Sequence, residues 1–126
     1  MKFRARQRLK SAKDFSKIRT EGTRISSGSF FVQGVIREIE NPAANAGDLS
    51  RVGVVASKRV GNAIVRARAK RLMREIYRKH APSFQRPVDL VMVARPYLLR
   101  KPFANSERDF LYACRQLGLI SKESQD

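Results

Sequence analysis

The spacing of apolar residues changes along this chain between the two-residue period of a strand and the three-to-four-residue period of a helix. From Ser29 to Arg37, Phe30, Val32 and Ile36 alternate with Phe31 and Val35, which predicts a strand with two distinct faces. Arg51-Val-Gly-Val-Val-Ala-Ser57 predicts a second strand. Between the two, Asn41, Pro42, Asn45, Gly47 and Asp48 predict a hairpin loop over residues 40–50. Pro87 to Arg95 is apolar on both faces, the pattern of a central strand, and Pro96 ends it. A further short strand fits near Arg24 to Ser26.

Three stretches have helical spacing. Ser11 can cap a first helix, with Asp14 at the fourth position of an imperfect capping box, Phe15 and Ile18 on one face and Gly22 as the stop. Ala63 to about His80 is rich in Ala, Arg, Lys, Leu and Met, all good helix formers, with Asn62 as N-cap and Pro82 beyond the end. A last helix runs from about Ala104 to Leu117, with Ser106 as a candidate cap and Gly118 as the close. Strands and helices in this order predict an α/β (α+β) sandwich with helices packed on one sheet face. The 126 residues fit a single domain. Residues 1–10, with a basic residue at every second position, read as an extended arm, and residues 121–126 as a frayed tail.

Charge changes the picture. The chain carries 27 Lys plus Arg against 11 Asp plus Glu, a formal net charge of +16. An excess of that size repels itself in a compact fold and calls for a polyanionic partner, nucleic acid before an anionic membrane. The apolar stretches, such as Val52 to Ala56 and Leu90 to Ala94, are far shorter than the roughly 20 residues of a spanning helix. The N-terminal Met-Lys-Phe-Arg-Ala-Arg has no apolar core of a secretory signal. Cys114 is the single cysteine, so no internal disulfide can form; this suits a reducing cytoplasm and a small buried hydrophobe.

The positive charge concentrates on the second helix. Advancing about 100° per residue gathers Val65, Ala69, Leu72, Met73 and Ile76 into one apolar stripe. Arg66, Arg68, Lys70, Arg71, Arg74 and Arg78 spread over the opposite side. From Lys58 to Lys79 there are nine positive residues, including Lys58 and Arg59 ahead of the helix, and only Glu75 opposes them. A solvated helix face ordinarily mixes signs at i, i+4, whereas here Arg66 faces Lys70, Lys70 faces Arg74 and Arg74 faces Arg78. Each like-charge contact costs a few tenths of a kcal/mol, so the counter-charge is expected from outside, and phosphate suits the planar arginine fork. Glu75 is expected to pair with Arg71, Arg78 or Lys79.

The run Lys58-Arg-Val-Gly61-Asn62-Ala-Ile-Val-Arg66-Ala-Arg68-Ala-Lys70-Arg71-Leu-Met-Arg74-Glu75 resembles the signature of the bacterial ribonuclease P protein family, with matches at Lys58, Gly61, Arg66, Arg68, Lys70, Arg71 and Arg74. The likeness extends to Arg8-Leu9, Asp14-Phe15 and Gly22, and to Arg51 through Lys58. It implies an αβββαβα sandwich with a left-handed crossover from the strand at 51–57 to that at 88–94, against the usual rule. It further implies that Lys58, Arg59, Asn62, Arg66, Arg68, Lys70, Arg71, Arg74 and Arg78 bind a catalytic RNA. The other side of the sheet, with the first helix, would form a cleft for the single-stranded 5′ leader of precursor tRNA.

Phe15, Phe30, Phe31, Gln33, Val35 and Ser57 are the candidates for that cleft, where an unpaired base would stack on an aromatic ring. Core packing competes for every Phe and is the preferred reading of Phe30. Two departures stand out. Ala67 replaces the family's central Asn within the basic face, and Arg19 and Gln33 stand where some members carry an aromatic side chain.

The residues themselves offer no catalytic set. The acids are scattered, His80 is the only histidine, Cys114 has no base in view, and no zinc or phosphate-loop motif occurs. His80 suits the negative end of its helix. The expectation is therefore a cytoplasmic, RNA-binding subunit of ribonuclease P with no catalytic residue of its own. Mg²⁺ would be held mainly by the RNA, and the partners would be ribonuclease P RNA and precursor tRNA, with no membrane and no obligatory protein partner. A ribosomal-type or chaperone RNA-binding protein is the competing class, and a duplex-DNA-binding protein the third.

Overall fold

The computed structural model describes residues 8–9, 12–38 and 46–121. The chain runs α1 (Ala12–Glu21), β1 (Thr23–Ser27), β2 (Phe30–Ile36), a single turn α2 (Ala46–Leu49), β3 (Arg51–Val55), α3 (Ala63–His80), β4 (Val88–Ala94) and α4 (Phe103–Gln116). Short 3-10 turns occupy Ala81–Ser83 and Leu98–Arg100. Without α2, this is the αβββαβα order. Most of the basic arm, the Ser11 cap, most of the tail and residues 39–45 of the loop lie outside the described residues.

The strands form one sheet in the order β1-β2-β4-β3. The β1–β2 and β2–β4 pairs are antiparallel and β3–β4 is parallel, so β4 is central, as its two apolar faces predict. The hairpin predicted at 40–50 is not one. Strands β2 and β3 lie on opposite sides of β4, and the tight hairpin joins β1 to β2 instead. Gly28 turns it with φ +36°, and Asp109 of α4 clips it by accepting hydrogen bonds from Ser29 N (2.9 Å) and Ser29 Oγ (2.8 Å). Ser106, predicted as the α4 cap, is instead buried within that helix and donates to Ser29 Oγ at 3.2 Å, while Pro102 holds the N-cap position.

The helices do not share one sheet face. Helices α3 and α4 pack against Phe30, Val32, Val52, Leu90 and Met92, contributing Ala69, Met73, Ile76, Tyr77, Phe110 and Cys114 to a common core. Burying a side chain of this size contributes roughly 1.5–3 kcal/mol, and this layer carries most of the fold's apolar burial. Helix α1 lies on the other face. Strand alternation explains the split: Val52 points into the core, while its neighbour Gly53 leaves room for Phe15, and a Cβ at Gly53 would stand 2.5 Å from Phe15 Cζ.

Helix α3 begins at Asn62, whose Oδ1 accepts from Val65 N at 3.0 Å, as predicted. Gly118, at φ +77°, closes α4 with Gly118 N donating to Arg115 O (3.1 Å) and Leu119 N to Cys114 O (2.9 Å), the two bonds of a Schellman motif. Among the described residues no helix is long and apolar enough to cross a membrane.

Two polar clusters fix the helices. On the α1 side, the parallel register sets Arg51 beside Asp89. Arg51 grips that carboxylate through Nε (3.0 Å) and Nη2 (2.7 Å) and reaches Asp14 of α1 through Nη1 (3.3 Å). Arg37 Nε lies 3.3 Å from the same carboxylate. The Asp89 hydrogen bond, working against burial, raises the Arg51 pKa. On the other face, Lys79 Nζ and His80 Nε2 both lie 2.7 Å from Glu107 Oε2, tying α3 to α4. The Lys79 hydrogen bond, ahead of that from His80, outweighs burial and holds the Glu107 carboxyl below its ordinary value.

Arg51→Met removes the two-pronged grip on Asp89 and the link to Asp14, and should cost about 2 kcal/mol in urea unfolding; a change below about 0.5 kcal/mol would show that the network holds nothing. For Glu107 the folded pKa is depressed. Its contribution is therefore complete above the unfolded value of about 4.3 and is lost as pH falls through the folded value. Glu107→Gln should accordingly weaken the decline in melting temperature below about pH 4.5, and a decline as steep as that of the wild type would contradict the pairing.

Candidate nucleic-acid interface

The outer side of α3 is built by its inner side. With Ala69, Met73, Ile76 and Tyr77 buried, helical geometry turns Arg66, Ala67, Arg68, Lys70, Arg71 and Arg74 outward. Arg66, Lys70, Arg74 and Arg78 are half-buried along the flanks, and Ala67, Arg68 and Arg71 are exposed. The turn ahead of the helix is specified by Gly61, at φ +153°, where a Cβ would meet Val65 Cγ1 at 2.7 Å. Ser57 Oγ accepts from Arg59 N at 3.3 Å, and this turn sets Lys58 and Arg59 at the entry to the basic face. Asn62 stands exposed at the same point, with its side-chain oxygen engaged as the helix cap.

Among the described residues, Lys58, Arg59, Arg66, Arg68, Lys70, Arg71 and Arg74 make no ion pair. The acids that do form pairs serve Arg37, Arg51, Lys79 and His80. Lys79 thus goes to Glu107 and not to Glu75. Arg8 adds charge to this side. Its backbone bridges to Val52 at the open edge of β3, and Leu9 N donates to Val52 O at 3.0 Å. Burial first, and then the nearby Arg8 charge, hold Arg74 below the usual arginine pKa.

The opposite sheet face carries a cleft of about 320 Å³. Helix α1 supplies Phe15, Ile18 and Arg19 as one wall; β1 supplies Arg24; Phe31, Gln33, Val55, Val91 and Val93 form the floor. Of the six predicted cleft residues, Phe15, Phe31 and Gln33 line it. Phe30 is corrected to core: it is 0% exposed, because the alternation that turns Phe31 toward the cleft turns Phe30 toward α3 and α4. Val35 shares the face of Phe31 but sits opposite Asp89, beyond the lining. Ser57 belongs to the turn before α3. Gln33 Nε2 donates to Arg19 O (3.2 Å) and Gly22 O (3.4 Å), so its amide secures the end of α1.

Arg24 was not among the predicted site residues. Its signal was the short strand at 24–26, which, once paired with β2 by alternation, puts Arg24 on the face of Phe31 and Gln33. Cys114 is fully buried and its thiol pKa is pushed up by that burial, which leaves it inert.

A family model described as Ribonuclease P matches residues 3–118. The ribonuclease P protein component of Alkaliphilus metalliredigens is 30% identical over 94% of this chain and 100% of that protein. That of Bacillus velezensis is also 30% identical, over 97% of this chain and 98% of its own length. The solved structure of the RNase P protein from Thermotoga maritima superposes with a TM-score of 0.72 at 25% identity, covering 88% of this chain and 97% of that one. The matched region takes in the basic helix, its preceding turn and the cleft alike, and so this chain belongs to the ribonuclease P protein family, the protein component of a ribonucleoprotein endoribonuclease.

Proposed function

We propose that the outer face of α3 binds ribonuclease P RNA, and that the cleft beneath α1 receives the 5′ leader of precursor tRNA while the RNA subunit carries out the hydrolysis. Family membership implies association with ribonuclease P RNA. The observation that carries the rest is the row of cations on α3, from Arg66 to Arg74, that makes no ion pair among the described residues. Phosphates along a folded RNA supply the missing charge, and arginine forks take two phosphate oxygens at once.

The division of labour follows from the side chains. Among the described residues no three His, Cys, Asp or Glu groups gather to hold a metal ion. In this reading the Mg²⁺ required for phosphodiester hydrolysis is held mainly by phosphates of the RNA. The protein's part is electrostatic and steric. Its +16 charge screens the repulsion between two polyanions, and the cleft gives an unpaired strand an apolar floor. The cytoplasm, where precursor tRNA is made, is the place for this work.

Cleavage of precursor tRNA, measured with the RNA subunit alone and with the protein added over a Mg²⁺ series, tests the proposal. The protein should tighten substrate binding most at low Mg²⁺, and no benefit there would refute it. Replacing Arg66, Lys70 and Arg74 with Ala should weaken RNA binding and flatten the plot of log K against log salt by about 0.7–0.9 per lost phosphate contact. An unchanged slope would remove these residues from the interface.

A further inference from the structure

The aromatic floor of the cleft is already covered. Arg24 Cζ lies 3.8 Å from the centroid of the Phe31 ring. Register produces the contact. Arg24 stands opposite Gln33 and Ser26 opposite Phe31, so Arg24 meets Phe31 as a diagonal neighbour on the cleft face of the β1–β2 pair. Arg24 is exposed and makes no ion pair among the described residues. The ring therefore holds the guanidinium in place without neutralising it. A cation over an aromatic face is an attractive pair, and a base that stacked on Phe31 directly would have to displace it.

We infer that Arg24, carried on Phe31, is the group on which an unpaired leader nucleotide stacks. This rests on the leader reading of the cleft and adds to it the residue that grips. A guanidinium is planar and weakly hydrated, so it can lie between the Phe31 ring and a nucleobase. Its N–H donors point out along the edge, where the adjoining phosphate can accept them. The combination tolerates any leader sequence, because every base has a stacking face and every nucleotide a phosphate. Gln33, the next cleft residue along β2, is poorly placed to share the task, since its amide is engaged with Arg19 O and Gly22 O.

The test uses enzyme assembled from the full chain and ribonuclease P RNA, and compares its affinity for precursor tRNA with that for the same tRNA lacking its leader. The readout is the ratio of the two. Arg24→Ala and Arg24→Lys should both lower that ratio, by about tenfold for one lost stacked base. Lysine keeps the charge and loses the plane, and so separates stacking from simple attraction. A ratio unchanged or raised in Arg24→Ala would overturn the assignment, making Arg24 a bystander or a lid. A ratio lost in Arg24→Ala but kept in Arg24→Lys would overturn the stacking role. A wild-type ratio near one would instead overturn the leader reading, and this assignment with it.

Discussion

Like charges held close together on one rigid surface are the constraint from which the rest of this molecule follows. The apolar stripe of α3, closed around Ala69, Met73, Ile76 and Tyr77, forces Arg66, Lys70 and Arg74 into a row one helical turn apart. Among the described residues no ion pair relieves that row. Acids are present in the chain, but those in ion pairs hold α1 to the sheet or α3 to α4. The hydrophobic core thus stabilises the fold and at the same time sets up a surface that a polyanion completes.

The sheet separates two tasks by alternation alone. On β2, Phe30 enters the core and Phe31 floors the cleft; on β3, Val52 is core and Gly53 makes room for Phe15. The strand that leads into the basic helix also carries Arg51, which anchors the cleft's wall through Asp14 and Asp89. Both surfaces are therefore referenced to β3, so that, on the proposed function, an RNA lying along α3 would be held at a fixed distance from a strand entering under α1. The cleft is apolar and cationic where the α3 face is mainly cationic, which fits an unpaired strand with bases to stack on one side and a folded RNA met through its phosphates on the other.

Much of this was legible in the residues. Helix α3, its Asn62 cap, its buried stripe and its basic face follow from period and composition, as does the central place of β4 from its two apolar faces. The glycine stops at Gly22 and Gly118 were equally plain. What could not be read was partnership between distant strands. Residues 40–50 looked like a hairpin because turn residues between two strands carry no mark of a third strand inserted between them. Ser106 looked like a cap because the same hydroxyl serves a buried bond to Ser29. Placing all helices on one face failed for want of knowing that Gly53 is a seat for Phe15. Arg24 stayed hidden because a cation over a ring is a matter of cross-strand register.

The most direct measurement of the central claim is made on the free protein. Neutralising the row with Gln at Arg66, Lys70 and Arg74 removes mutual repulsion while retaining part of each aliphatic stem. Relative to wild type, this variant should gain unfolding free energy at low ionic strength, by about 0.5 kcal/mol from the lost like-charge contacts. The gain should fade at about 1 M salt, where the Debye length shrinks to about 3 Å. A difference that did not vary with salt, or a loss confined to low salt, would mean that the row is already compensated within the protein, contradicting the account.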